Sequence, residues 1–248
     1  MSSDLTGFLS AWEYDPDHTM RIVEAEDGRS VLQVRLPLGV EQYELDGRPD
    51  GERPRGYNTV LAEVEERLKH HVRIQGGDDG FEIDHDEAVR LQNEGVLFYY
   101  RYLLLFQMND FERVSRDTEH NLRLCRVLEE HCSSEEDRNA VLQFRPYIIR
   151  MNAMSRAMIS LNDDLREVAR HIIESAIEEI EGLSEIEAPA FQFERIRSLK
   201  YLRSAAKQID ELSPSVVAQL ERELKDAVAA EDYERAAELR DRIRELSP

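Results

Sequence analysis

Alternating apolar and polar residues dominate the start of this chain, and three-and-four spacing dominates nearly everything after residue 57. Residues 20–26 and 29–36 flank Asp27-Gly28, a dipeptide suited to a two-residue hairpin turn. That turn would set Val23 opposite Leu32 and Ala25 opposite Ser30. Leu32, Val34 and Leu36 then share one face and Gln33 and Arg35 the other, because side chains alternate along a strand. Residues 40–45 predict a third strand after Pro37-Leu38-Gly39. Three strands with one apolar face need a covering helix. Residues 59–72, with Leu61, Val64, Leu68 and Val72 in register, are the nearest candidate.

After the break at Gln75-Gly76-Gly77, Asp84-x-x-Glu87 reads as a capping box opening a helix to about Met108. Asn109-Asp110 turns the chain into a second helix ending near His131, and Ser133-Ser134 caps the next. Pro146 predicts a break near Arg145. Helix resumes over 148–161, turns at Asn162-Asp163 and runs to Glu181, with Gly182 as C-cap. Residues 183–190 form a linker and 191–212 a further helix. Asp110-Phe111-x-x-Val114-Ser115 recurs fifty-four residues later as Asp164-Leu165-x-x-Val168-Ala169. Paired helices of this kind suggest a tetratricopeptide-like stack or an antiparallel bundle, although the spacing exceeds the about thirty-four residues of that repeat. Phe98, Tyr99, Tyr100, Tyr102 and Phe106 point in too many directions for one helix face. That predicts a helix buried on most sides, with its aromatics in the core.

Residues 214–248 predict two short amphipathic helices around an acidic turn. Ser213 caps the first and Pro214 opens it, and its stripe is Val217, Leu220, Leu224 and Ala227/Val228. Asp232 caps the second, whose stripe is Tyr233, Ala236, Leu239, Ile243 and Leu246. Isolated helices under ~12–15 residues are marginal in water, so the apolar remainder needs a partner, in this chain or another.

The string Glu231-Asp232-Tyr233-Glu234-x-Ala236-Ala237-x-Leu239-Arg240-Asp241 resembles the UVR motif, the helical hairpin of the excision-repair subunits UvrB and UvrC and of other bacterial proteins. Leu220-Glu221, Leu224 and Ala227-Val228 before it, and Ile243 and Leu246 after it, fit the same pattern without a gap. The resemblance implies docking, in which two hairpins pack into a small four-helix bundle with an aromatic at the position of Tyr233 near the contact. Under it, Leu220, Leu224, Val228, Tyr233, Ala236, Leu239, Ile243 and Leu246 are the candidate partner-binding residues. The stretch from Trp12 through residue 56 is also similar to the N-terminal part of uncharacterised UVR-motif proteins, a similarity that implies no activity.

The expected fold is therefore α+β and mostly helical. A small antiparallel sheet with its covering helix fills 1–75, a helical bundle or repeat 81–182, and a helix plus the UVR-like hairpin 191–248. Fifty-two acidic residues against 32 basic ones leave a net charge of −20. That argues against direct nucleic-acid contact, which needs clustered Lys and Arg, and against anionic membrane surfaces. Disorder is not indicated, because 41% of the chain is hydrophobic and the apolar positions are periodic. Cys125 and Cys132 imply no disulfide framework and suit a reduced compartment. With no signal-like start and no apolar run of spanning length, a soluble, cytoplasmic protein is expected.

Chemistry-bearing patterns are sparse. His70-His71 diverge on a helix, and Cys125, His131 and Cys132 lack the further ligand pair of a tetrahedral metal site. Ser115, Asp117, His120 and Asn121 carry no nucleophile motif. No catalytic residue, metal or cofactor is expected. The 46–56 loop places Arg48, Arg53 and Arg55 among glycines and prolines. It reads as a turn-rich connector or as an anion-binding loop presenting planar guanidinium forks. Three functions remain open: a non-enzymatic adaptor docking through the hairpin, an accessory factor of nucleotide excision repair recruited by UvrB or UvrC, and an enzyme or ligand-binding protein using the 46–56 loop. The partner of the first is another protein, UvrB/UvrC-like or a second copy of this chain.

Overall fold

The computed structural model describes residues 4–211, 216–230 and 232–246, the side chains of 216–219 and 245–246 excepted. Strands β1 (Met20–Glu24), β2 (Ser30–Leu36) and β3 (Gly39–Glu44) form an antiparallel sheet in chain order. The first turn differs from expectation. Val23 pairs with Val31 and Glu24 with Ser30, not Val23 with Leu32. Ala25 N–H donates to Arg29 O at 2.7 Å and Gly28 N–H to Ala25 O at 2.9 Å, with Gly28 at φ +82°. The loop is thus the three residues Glu26-Asp27-Gly28, ending on a left-handed glycine, the next commonest hairpin after two-residue turns.

Both faces of β2 are covered, and Val31 through Arg35 are all buried. On one face Leu32 packs with Met20 and Tyr43 against Tyr102, Leu105, Val114 and Met151. On the other, Arg21 donates to Gln33 Oε1, whose own amide donates to Gln42. The short helix α1 (Thr6–Ala11) and Trp12 close this face, with the Arg21 guanidinium 3.8 Å from the Trp12 ring. Arg35 Nε donates to Trp12 O at 2.7 Å.

The expected covering helix forms but covers something else. α2 (Val60–Gln75), capped by Thr59, buries Val60, Leu61 and Val64 against Leu91, Leu124 and Leu128. The sheet is met instead by α3 (His85–Gln107), α4 (Phe111–His131) and α6 (Arg145–Asn162). Asp84 caps α3 by accepting from Glu87 N–H, and Asp110 caps α4 by accepting from Arg113 N–H. α5 (Glu135–Leu142) starts at its cap Ser134 and stops before Pro146, which lies in the first turn of α6. α7 (Arg166–Glu181) packs on α6, and α8 (Pro189–Glu211) returns to both. Pro189, which lies inside the expected 183–190 linker, instead opens α8, where its missing N–H leaves no bond unmade.

The internal repeat is present in the turns but one residue out of the expected phase. Asn109 and Asp164 take φ +60° and +58°. Each is followed by a bond back across the turn, Asp110 N–H to Leu105 O and Leu165 N–H to Ser160 O. Asp110 therefore corresponds to Leu165, and Val114 to Ala169, both fully buried, rather than to the exposed Val168.

α3 departs from the expectation of burial on most sides. Phe98, Tyr102 and Leu105 are buried, whereas Tyr99 and Tyr100 are 37% and 52% exposed. Its buried stripe also carries charges, of which Glu94 and Arg101 are fully buried. Glu94 accepts from the α2 N-terminal N–H groups of Val60 at 2.6 Å and Leu61 at 3.0 Å. Arg101 forms a bidentate pair with Asp117 at 2.6 and 2.7 Å and donates to Glu44 O and Gly47 O. Together they pin both ends of the β3–α2 connection onto α3. No helix among the described residues is long and apolar enough to cross a membrane.

Candidate docking hairpin

α9 (Val216–Ala229) and α10 (Tyr233–Leu246) pack against each other. The turn closes through Asp232 N–H to Ala227 O at 2.9 Å, and Asp232 Oδ1 caps α10 by accepting from Arg235 N–H at 3.1 Å. Ser213, Pro214 and Glu231, and the side chains of Val217 and Leu246, lie outside the described residues.

Apolar spacing on both helices builds an inner seam. Leu220, Ala227, Ala236 and Leu239 are buried in it, with Leu224 and Ile243 half-buried beside them. The two alanines let the helices approach near the turn, and the leucines fill the wider space beyond. Among the described residues this cluster contains only hairpin side chains. Val228 and Tyr233, on either side of the turn, face outward at 51% and 70% exposure. The candidate set thus separates in two: Leu220, Leu224, Ala236, Leu239 and Ile243 pack in the seam of the hairpin, and Val228 and Tyr233 lie outside it. Around them Glu223 and Arg235 face each other at 3.5 Å.

The 46–56 loop spreads its arginines over separate tasks. Arg48 Nη2 lies 2.9 Å from Asp50 and 3.5 Å from Glu52 within the loop. Arg55, at φ +49°, donates to Glu63 of α2 at 2.7 Å. Arg53 is exposed. The remaining chemistry-bearing residues are largely occupied. Asp117 holds Arg101, and His120 stacks on Phe98 with ring centroids 3.7 Å apart. Burial pushes the Cys125 thiol up to about 12, which keeps it protonated and unreactive near neutral pH.

Sequence reasoning missed Glu94 and Arg101. The signal was present: Leu91, Glu94, Phe98, Arg101 and Leu105 follow one three-and-four stripe, so the two charges had to be buried with partners. Their partners come from other elements and could not be read locally.

Residues 215–247 match the UvrB/uvrC motif family, which coincides with the α9–α10 hairpin. No curated protein and no solved structure matches the chain.

Proposed function

We propose that this chain is a non-enzymatic, cytoplasmic adaptor that docks onto another protein through the face of the α9–α10 hairpin bearing Val228 and Tyr233. The observation that carries the reading is the division of labour within the UvrB/uvrC motif. Its seam residues are consumed internally, yet a valine and a tyrosine stay exposed beside the turn. A 14-residue helix pair with a seam this small gains further burial by packing on a second hairpin, which completes a four-helix core. The match itself supports a narrower reading, in which the partner hairpin belongs to UvrB or UvrC and the chain serves nucleotide excision repair.

Sedimentation and titration with an isolated UvrB C-terminal hairpin test both readings. Tyr233→Ala and Val228→Glu are expected to weaken self-association or capture by roughly 2 kcal/mol or more while the helical signal and melting of the body stay unchanged. Leu239→Asp places a charge in the seam and should unfold the hairpin itself. If the two surface variants associate like the wild type, docking through this face is wrong. Self-association without UvrB capture would remove the repair reading alone.

A further inference from the structure

Helices α3, α4, α5, α6 and α8 leave between them a cavity of about 380 Å³, well away from the terminal hairpin in sequence. Gly95, Tyr99 and Tyr102 of α3, Asn121 of α4, Tyr147 of α6 and Glu194 of α8 line it. We infer that this cavity binds a small, neutral, planar heteroaromatic molecule, packed against its tyrosine wall and held by an N–H donor directed at Asn121.

The size falls within the range of small-molecule sites, which are mostly apolar with a few placed polar groups. The walls are aromatic and tilted against one another. Tyr99 meets Tyr102 at 5.6 Å and 90° and Tyr147 at 5.8 Å and 63°, while Tyr102 and Tyr147 lie 6.4 Å apart at 28°. A flat ring can stack on one such face and meet another edge-on, the two arrangements that aromatic quadrupoles favour. Burial of these rings has not closed the space. Tyr99 and Tyr100 stay exposed at the cavity wall, although they belong to the aromatic run of a core helix.

The polar groups specify a donor. The Asn121 side chain donates to Gly95 O at 3.0 Å and also meets the Tyr102 hydroxyl, but its buried Oδ1 has no partner. The buried Oε2 of Glu194 likewise accepts nothing. Unpartnered buried acceptors are costly and uncommon in folded proteins, and a ligand N–H would satisfy one. Net charge points away from ions. The Glu194 carboxylate lies 3.6 Å from Arg197, and the Arg150 guanidinium lies 4.8 Å from the Tyr147 ring centroid. One carboxylate among two guanidiniums does not favour a cation, and an anion would set its acceptors against acceptors.

Gly95 adds an independent reason. Glycine in a helix interior is unfavourable relative to alanine, so its place in α3 needs an explanation. Packing does not provide one: a Cβ there would stand 3.6 Å from Leu124 Cδ1 and 3.8 Å from Asn121 Oδ1, ordinary contact distances. A methyl group would instead lie over Asn121 Oδ1. The glycine keeps that acceptor open to the cavity.

Calorimetric titration of the full chain with indole, and with benzofuran as its isostere lacking the N–H, tests the inference. Indole is expected to bind with a sub-millimolar Kd and benzofuran about tenfold more weakly. Gly95→Ala should raise the melting temperature and yet weaken indole by about tenfold. Tyr99→Ala, at a half-exposed wall, should weaken it comparably with the fold intact. The inference is overturned if indole fails to bind the wild type up to its solubility limit, or if benzofuran binds as well as indole. Tighter binding of benzyltrimethylammonium than of indole would also overturn it, as would wild-type affinity in both variants.

Discussion

At the scale of single residues, buried charge decides most about this chain. Arg101 and Asp117 are almost wholly buried, and the guanidinium also holds two carbonyl oxygens of the β3–α2 connection. Replacing one partner removes the closest bonds of the other in a medium that solvates it poorly, although Asp117 keeps Arg116 at 3.3 Å. Arg101→Met is expected to cost about 3–5 kcal/mol in urea unfolding, and the double change Arg101→Met/Asp117→Leu to recover a large part of that loss. The double variant should still lose order in residues 45–47, because Glu44 O and Gly47 O would be left without their donor. Amide exchange over that connection separates the two effects. The pair is a clamp, and its two partners were visible in the sequence only as polar interruptions of apolar stripes.

At the scale of elements, the sequence errors share one cause: pattern locates an element but not what it packs against. The 59–72 segment is helical as its pattern predicts, yet its apolar face packs on Leu91 and Leu124 rather than on the sheet. Glu94 settles that docking by receiving the N-terminus of α2. Burial alone would raise its carboxyl, but neighbouring His120, 3.2 Å away, and the Leu61 and Val60 N–H groups outweigh burial and hold it below the usual glutamate value of 4.5. A depressed folded pKa means that the unfolded chain binds the proton first. The contribution of Glu94 to stability is therefore complete above the unfolded value and is lost as pH falls through the folded one. Glu94→Gln should be less stable than the wild type at pH 7, and the gap in denaturant midpoints should shrink progressively below about pH 4.5. A gap independent of pH would mean that shape, not charge, holds α2. The hairpin register and the helix repeat each missed by one residue for a similar reason. In the hairpin a left-handed Gly28 adds a residue to the turn without altering the apolar pattern on either side, and in the repeat the left-handed positions that match are Asn109 and Asp164, not the two like-named aspartates.

For the whole molecule, the acidic surface and the separate hairpin dominate. With a net charge of −20, the chain should show no measurable binding to duplex or single-stranded DNA near physiological salt. Non-specific binders reach dissociation constants of ~10⁻⁴–10⁻⁶ M there and tighten steeply as salt falls. Fluorescence anisotropy across a salt series checks this, and micromolar affinity with such a slope would contradict it. A repair role through UvrB or UvrC would be unaffected by the negative result, since such recruitment needs no DNA contact from this chain.

The terminal hairpin, the strand pairs, the capped helices and the break at Pro146 were legible in the sequence because each rests on short-range rules. These are side-chain period, turn chemistry and the capping of free N–H groups. The UVR motif was legible for the same reason, its residues all lying within one gapless stretch. Division of that stretch into an internal seam and an outward Tyr233 required the tertiary structure, because both kinds of residue lie on apolar stripes. So did the cavity beside α3. Its walls come from five helices spread between residues 92 and 197, and a void has no sequence signature of its own. Local preference fixes where the chain turns and coils, whereas the charges buried in α3 and the space left between helices exist only once distant segments compete for the same surface.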